Sequence, residues 1–362
     1  MRPRVLHLTR DFPPRQNGGL STAVGGLVAA ATSCEHRVLS FDNYRPSSGG
    51  PATIEVDGSV ARLSGAAAVA SALTWACDTD PDIIHCHHAQ LWSVARQIQS
   101  RTRAATVATC HVVQAALDAL RQLERATSSA RAEAEMVAQA QHLNAPSSAA
   151  CDLIRDHYPN AEPEVLPLGT RIPDTVDTLL RDSLLFVGRF ADVTGFSTFI
   201  DVAASAVEDA GCRVAVCGGL PLSPRGERRW LERAEEQLGE HLTYRGWLGQ
   251  EALSEEYRRA RVVVVPSTIE TFCQVAAEAM AHGCAVVGYQ LPALAELTSK
   301  CAVLVEPGDS AALTMATAAL LDDGDSAESL GRRARQRMSR HYTWKQAATA
   351  AQALWLSAAA GR

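Results

Sequence analysis

At 362 residues the chain is long enough for two domains of ordinary size, and its 47% hydrophobic and 20% charged content excludes a disordered protein. A formal net charge of −6 with no basic run argues against a nucleic-acid partner. No stretch approaches the ~20 apolar residues of a membrane span.

Ten cysteines are scattered without a Cys-x-x-Cys pair, and Met1-Arg-Pro-Arg-Val runs straight into a short strand. The expectation is a cytoplasmic protein without a secretory leader, its thiols reduced and packed as small apolar side chains. Lys300 and Lys345 are the only lysines, so arginine supplies nearly all the positive charge.

Short apolar runs alternate with helical patterns, the rhythm of βα units stacked around parallel sheets. Val5-Leu-His-Leu8 opens the first half, followed by a glycine-bearing loop and a helix over Leu20 to Thr32. Arg37 to Phe41 reads as a strand, Ala52 to Leu63 as a β-hairpin, and Asp82 to His85 and Ala105 to Thr109 as buried strands. A long helical stretch is expected from Leu117 to Gln141, then a strand over His142 to Ala145, with Val165 to Gly169 closing the half. The proline-bearing segment Thr170 to Asp182 reads as a linker. The second half restarts with Leu184 to Val187, Arg213 to Val216, Leu242 to Tyr244, Arg261 to Val265, Val286-Val287 and Ala302 to Val305. The expected domains are 1–170 and 183–340, joined by 171–182 and followed by a terminal helix within 341–362.

The segment Glu270-Thr-Phe-Cys-Gln-Val-Ala-Ala-Glu278 places two carboxylates eight positions apart, behind the apolar run Val262 to Val265 and the punctuation Pro266-Ser267. Eight helical positions rotate ~800°, leaving the two about 80° apart and roughly two turns apart along the axis. With Glu270 at a loop tip and Glu278 in a helix, both can touch one polyhydroxylated ligand, because carboxylates accept hydrogen bonds from paired hydroxyls.

Gly188-Arg189-Phe-Ala-Asp-Val-Thr-Gly195 leads from a strand into a helix. Such a loop offers free N–H groups and a favourable dipole to an anion, and Arg189 adds a charge-assisted clamp on phosphate. Gly18-Gly19 after the first strand is by itself a weak signal, and Gly218-Gly219 reads as an architectural turn. Thr109-Cys-His111 ends a strand, where open α/β sheets meet their ligands. A neutral imidazole there can hydrogen-bond a hydroxyl, and a protonated one can stabilise a leaving phosphate.

His85-Cys-His87-His88, with Cys77 nearby, invites a metal reading. Alternate strand residues point to opposite faces, so the four do not easily converge on one ion, and His87 and His88 read instead as lining the ligand side. Asp78-Thr-Asp80 precedes its strand and so falls at the edge away from the ligand, and Asp323-Gly-Asp325 reads as a turn. No metal is expected.

Pro266-Ser-x-x-Glu270-x-Phe272, Glu278-Ala-Met-Ala-x-Gly283 and Val286-Val287 together resemble the Glu-x7-Glu signature of retaining GT-B glycosyltransferases of family 4. The resemblance spans most of the chain and is dense from Leu184 to Glu296. It implies an α/β GT-B fold, two Rossmann-like doubly wound domains facing across a cleft. The terminal helix after Tyr342-Thr-Trp344 would cross back over the first domain. In that family the first Glu approaches the donor sugar and the second holds the ribose. Carried onto this sequence, Glu270, His111 and Arg189 would serve catalysis. Gly18, Gly19, Arg189, Trp247, Leu248, Glu270, Phe272, Cys273 and Glu278 would hold the donor. Asn17, His87, His88 and Gln114 would face the acceptor.

Three departures stand out. Thr194 occupies the position of the family's lysine, Cys273 replaces a usual glycine, and the family's Gly-Gly-x-x-Glu appears as Gln290-Leu-Pro-Ala-Leu-Ala-Glu296, with Pro292 and Glu296 the matching residues. The expected function is transfer of a hexose-type sugar from a nucleoside diphosphate donor, with retention and with no cofactor beyond that co-substrate. The resemblance implies front-face attack, the leaving phosphate deprotonating the acceptor. A soluble small-molecule acceptor is expected because Leu117 to Gln141 mixes arginines and acids as a balanced, solvated face that does not favour a membrane. The rivals are a lipid acceptor, a nucleotide-sugar epimerase on the same fold, and a degenerate non-catalytic homologue.

Overall fold

A computed structural model describes residues 2–14, 18–41, 53–64, 69–174, 181–220 and 223–361. The chain divides into two units, Met1–Gly169 with Trp344–Arg362, and Thr170–Thr343.

The first unit runs β1 (Arg4–Thr9), α1 (Gly19–Ala30), β2 (Glu35–Ser40), β3 (Thr53–Asp57), β4 (Val60–Ser64), α2 (Val69–Asp78) and β5 (Ile83–Cys86). It continues with α3 (Trp92–Gln99), β6 (Ala105–Thr109), α4 (Gln114–Leu120), α5 (Ser128–Gln139), β7 (His142–Ala145), α6 (Ser148–His157) and β8 (Glu164–Val165). Its eight strands lie in the order β3-β4-β2-β1-β5-β6-β7-β8. All pair in parallel except the β3–β4 hairpin, which matches the expected hairpin. The central strands β1, β5 and β6 are buried almost throughout, the polar His7, His85 and Thr106 included, because helices cover both faces of a parallel sheet.

The second unit runs β9 (Ser183–Arg189), α7 (Phe196–Ala210), β10 (Arg213–Gly219), α8 (Pro224–Leu238), β11 (Leu242–Gly246), α9 (Gln250–Arg259) and β12 (Ala260–Val265). Then come α10 (Gln274–Ala281), β13 (Ala285–Tyr289), α11 (Pro292–Thr298), β14 (Val303–Val305), α12 (Ser310–Asp322) and α13 (Gly324–His341). Its six parallel strands take the order β11-β10-β9-β12-β13-β14. This is the doubly wound pattern, in which the chain steps outward from β9 and then returns to its other side.

The last helix, α14 (Trp344–Ala360), belongs to the first unit. Its Ala348, Ala351, Trp355 and Ala358 share a core with Val5, Leu27, Ile83 and Val107. Gly26 makes the contact with α1 possible, since a Cβ there would sit 2.2 Å from the Trp344 ring.

The expected single helix over Leu117 to Gln141 is two helices, α4 and α5. The break is held by side-chain hydrogen bonds across the turn. The Asp118 carboxylate accepts from the Thr127 backbone N–H at 2.7 Å and from its hydroxyl at 3.2 Å, while Thr127 caps α5 by accepting from the Ala130 N–H. Its face is not evenly solvated either. Glu133 and Asp118 are buried, and Glu133 accepts from the N–H groups of Gln114 and Ala115 at 2.6 and 3.1 Å and from the Tyr158 hydroxyl at 2.9 Å. No helix among the described residues is long and apolar enough to cross a membrane.

Candidate active site

In the second unit the strand order reverses between β9 and β12, so a crevice opens outside their carboxyl ends. Two loops meet there. One carries Arg189 and turns through a 3₁₀ segment at Asp192–Thr194 into α7; the other carries Ser267 to Cys273 and enters α10. They are stitched by the Thr268 N–H donating to the Val193 carbonyl at 3.0 Å. Gly195 permits this approach: its φ is +69°, and a Cβ would lie 2.0 Å from the Pro266 oxygen.

This places Arg189 near Glu270, close enough for its charge to favour the ionised carboxylate. Burial pushes the Glu270 carboxyl up, while hydrogen bonds from the Ser267 hydroxyl and the Cys273 thiol pull it back. Glu278 lies within α10 and accepts from the Tyr257 hydroxyl at 3.1 Å. Burial lifts its pKa to about 7, opposed by hydrogen bonds from Tyr257 and Gln274. Both glutamates are half-buried and Arg189 is exposed.

The departures have physical content. Cys273 sits at φ +75°, ψ +76°, in the left-handed region that a glycine occupies without strain. The Thr194 hydroxyl donates to the carbonyls of Arg189 at 2.6 Å and Ala191 at 2.7 Å, so it folds the loop and does not stand in for a cation. Pro292 opens α11 directly beyond β13. Phe272 is buried, its ring centroid 5.9 Å from that of Tyr342, and so packs rather than lines the crevice surface. Trp247, 36% exposed, and the half-buried Leu248 follow β11 at its carboxyl end.

In the first unit the corresponding reversal lies between β1 and β5. Gly18 caps α1 and Gly19 is its first residue, while Asn17 lies outside the described residues. His87 follows β5, its N–H bound to the Leu8 carbonyl at 2.9 Å, and its Nδ1 lies 3.1 Å from Nε2 of His111. Burial pushes His111 down to about 4, so the neutral imidazole prevails near pH 7 and the imidazolium alternative is disfavoured. His88 accepts from the Gln90 N–H at 3.3 Å, capping a short turn, and is likewise pushed down to about 4. Gln114 opens α4 with its N–H committed to Glu133. Asp80 pairs with Arg4 at 2.8 Å, at the amino end of β1 and away from these groups. His7 and His36, which carried no motif in the sequence, join this cluster: His7 bonds to both His87 and His36 at 3.0 Å.

Two parallel-sheet Rossmann-like units of this topology define the GT-B fold. Residues 18–169 match a glycosyl transferase 4-like domain and residues 181–323 match the glycosyl transferases group 1, so the chain belongs to the GT-B glycosyltransferases of this type. It resembles the sucrose-phosphate synthase of Thermosynechococcus elongatus at a TM-score of 0.83 and 21% identity, covering 100% of both chains. A second neighbour is HepE of Anabaena, solved with UDP and glucose, at a TM-score of 0.79 and 16% identity, covering 98% of this chain and 100% of that one. Among curated relatives, the D-inositol 3-phosphate glycosyltransferase of Corynebacterium urealyticum is 34% identical over 170 residues, 45% of this chain. The matched stretch spans only 40% of that relative's own length.

Proposed function

We propose that the protein is a retaining glycosyltransferase that moves a hexose-type sugar from a nucleoside diphosphate donor to a hydroxyl of a soluble small molecule. The observation that supports this reading is Arg189 beside Glu270 at one strand-order reversal, with Glu278 in the helix that follows. Glu278 accepts from the paired ribose hydroxyls. Arg189 and the amides at the start of α7 neutralise the diphosphate, and Glu270 faces the sugar. Trp247 and Leu248 flank the base, and within the first unit Gly18 and Gly19 offer loop amides to an anion. His111 accepts a hydrogen bond from a sugar hydroxyl, and His87, His88 and Gln114 belong to the acceptor side.

Catalysis on this reading is electrostatic. Fixed positive charge and N–H dipoles stabilise the departing diphosphate while an oxocarbenium-like sugar develops, and the diphosphate oxygen takes the acceptor proton. No metal step is needed, because arginine and backbone amides supply the positive charge. Relatives named D-inositol 3-phosphate glycosyltransferase and glycogen synthase support a soluble acceptor. Incubation with a panel of nucleotide sugars, with and without candidate acceptors, tests the reading. Transfer supports it, isomerised donor without acceptor favours an epimerase, and no turnover of any donor favours a degenerate homologue.

A further inference from the structure

Ligand nitrogens of His7, His85 and His87 lie within 4.8 Å of one another, all buried, the arrangement of a metal site. Their bonds leave no room for an ion. The Trp355 Nε1–H, which can only donate, reaches Nδ1 of His85 at 3.2 Å, so the His85 proton sits on Nε2 and faces the Thr109 hydroxyl at 2.8 Å. His7 is engaged at both nitrogens, by His87 and by His36. A neutral ring that donates at one nitrogen and accepts at the other has no lone pair to spare.

The same bonds form a line with a fixed direction. The Ala31 carbonyl lies 2.8 Å from Nε2 of His36 and can only accept, so that nitrogen carries the hydrogen. Nδ1 of His36 is then an acceptor and must receive from Nε2 of His7 at 3.0 Å. Nδ1 of His7 receives in turn from Nε2 of His87 at 3.0 Å, and Nδ1 of His87 receives from Nε2 of His111 at 3.1 Å.

We propose that His36, His7 and His87 are positioning residues that hold His111 in its Nε2–H tautomer, so that its Nδ1 is the nitrogen that accepts. The function of that acceptor rests on the reading that His111 meets a sugar hydroxyl. The tautomer itself follows from the hydrogen bonds alone. Burial keeps the rings neutral, pushing His7 and His87 far below the ordinary imidazole value and lowering His36 as well. Each bond polarises the next, which strengthens Nδ1 of His111 as an acceptor. Strand register assembles the line: His7 of β1 stands opposite His85 of β5 and beside β2, which carries His36.

The test is histidine tautomer spectroscopy on full-length protein with ¹⁵N-labelled imidazoles. The expected result is the Nε2–H form for His36, His7, His87 and His111, with ¹⁵N–¹⁵N couplings across the three ring-to-ring bonds. His36→Phe keeps a ring but removes the acceptor, so the line loses its direction and His111 should populate the Nδ1–H form. With a productive donor–acceptor pair, kcat should fall about 10–100-fold, the usual reach of an outer hydrogen-bond partner, with donor KM held. His36→Gln can donate to Ala31 and accept from His7, and it should restore both the tautomer and kcat. An Nδ1–H tautomer of His111 in the wild type, or an unchanged Nε2–H form in His36→Phe, would overturn the proposal. If His111→Ala transfers at the wild-type rate while the wild-type spectrum shows the Nε2–H line, the lock stands and the assigned function of His111 fails.

Discussion

The Tyr257 hydroxyl donates to Oε2 of Glu278 at 3.1 Å, one turn-spanning helix reaching across to hold the carboxylate of another. Burial lifts the Glu278 pKa to about 7 against that hydrogen bond, leaving the group poised between a neutral acid and the carboxylate that ribose hydroxyls need.

Nucleotide binding should consequently tighten as pH rises through about 7. Below that point affinity should fall by at most about tenfold per pH unit, the limit for one coupled proton. Tyr257→Phe removes a hydrogen bond to the ionised form, so it should move this transition to higher pH and weaken binding near neutrality. The sign for stability is opposite. A carboxyl raised above its ordinary value favours the fold most at low pH, and this contribution is lost as pH climbs from that value to about 7. Calorimetric titration with nucleoside diphosphates from pH 6 to 8.5, run beside thermal melts, measures both.

Arg189→Ala should weaken nucleoside diphosphate binding by about 1.5–3 kcal/mol, the range for a charge-assisted hydrogen bond. Since the Thr194 hydroxyl is occupied by the loop carbonyls, it should not compensate. Near-wild-type affinity by calorimetry would place the diphosphate-binding cation elsewhere. Glu278→Ala should also lose nucleotide affinity, whereas Glu270→Ala should chiefly lower turnover.

The left-handed backbone at Cys273 makes its substitution pattern diagnostic. Cys273→Val should destabilise by about 1–3 kcal/mol, because a β-branched residue tolerates this region poorly. Cys273→Gly should change stability far less, trading relief of strain against a more flexible unfolded chain. A thermal melt showing the valine variant as stable as wild type would contradict the backbone geometry.

The parallel strands and the two doubly wound units were legible in the sequence because each piece is local: an apolar run, a loop, then a helix. The helix break was not. Residues 121–127 contain neither glycine nor proline, and the interruption comes from the Asp118–Thr127 tie together with Gln122 at φ +53°. The histidine line was invisible for a related reason. His7, His36, His87 and His111 are far apart in the chain and meet only through the register of neighbouring strands, while a single histidine in a strand carries no signal of its own.

Glu133 makes the same lesson testable. Buried, it holds the first N–H groups of α4 and the Tyr158 hydroxyl, so Glu133→Ala should destabilise the protein by about 1–3 kcal/mol through unsatisfied buried donors. Denaturant unfolding should show Glu133→Gln less affected, since its amide oxygen can still accept.

The central claim is sugar transfer with retention at the β9–β12 reversal. The most direct test incubates the protein with α-linked nucleotide sugars and a panel of soluble acceptors in the presence of chelator, then reads the anomeric configuration of the product by NMR. The expected result is an α-linked product, lost on Arg189→Ala and sharply reduced on Glu270→Ala. A β-linked product, strict dependence on added divalent metal, or transfer undiminished in both variants would contradict it.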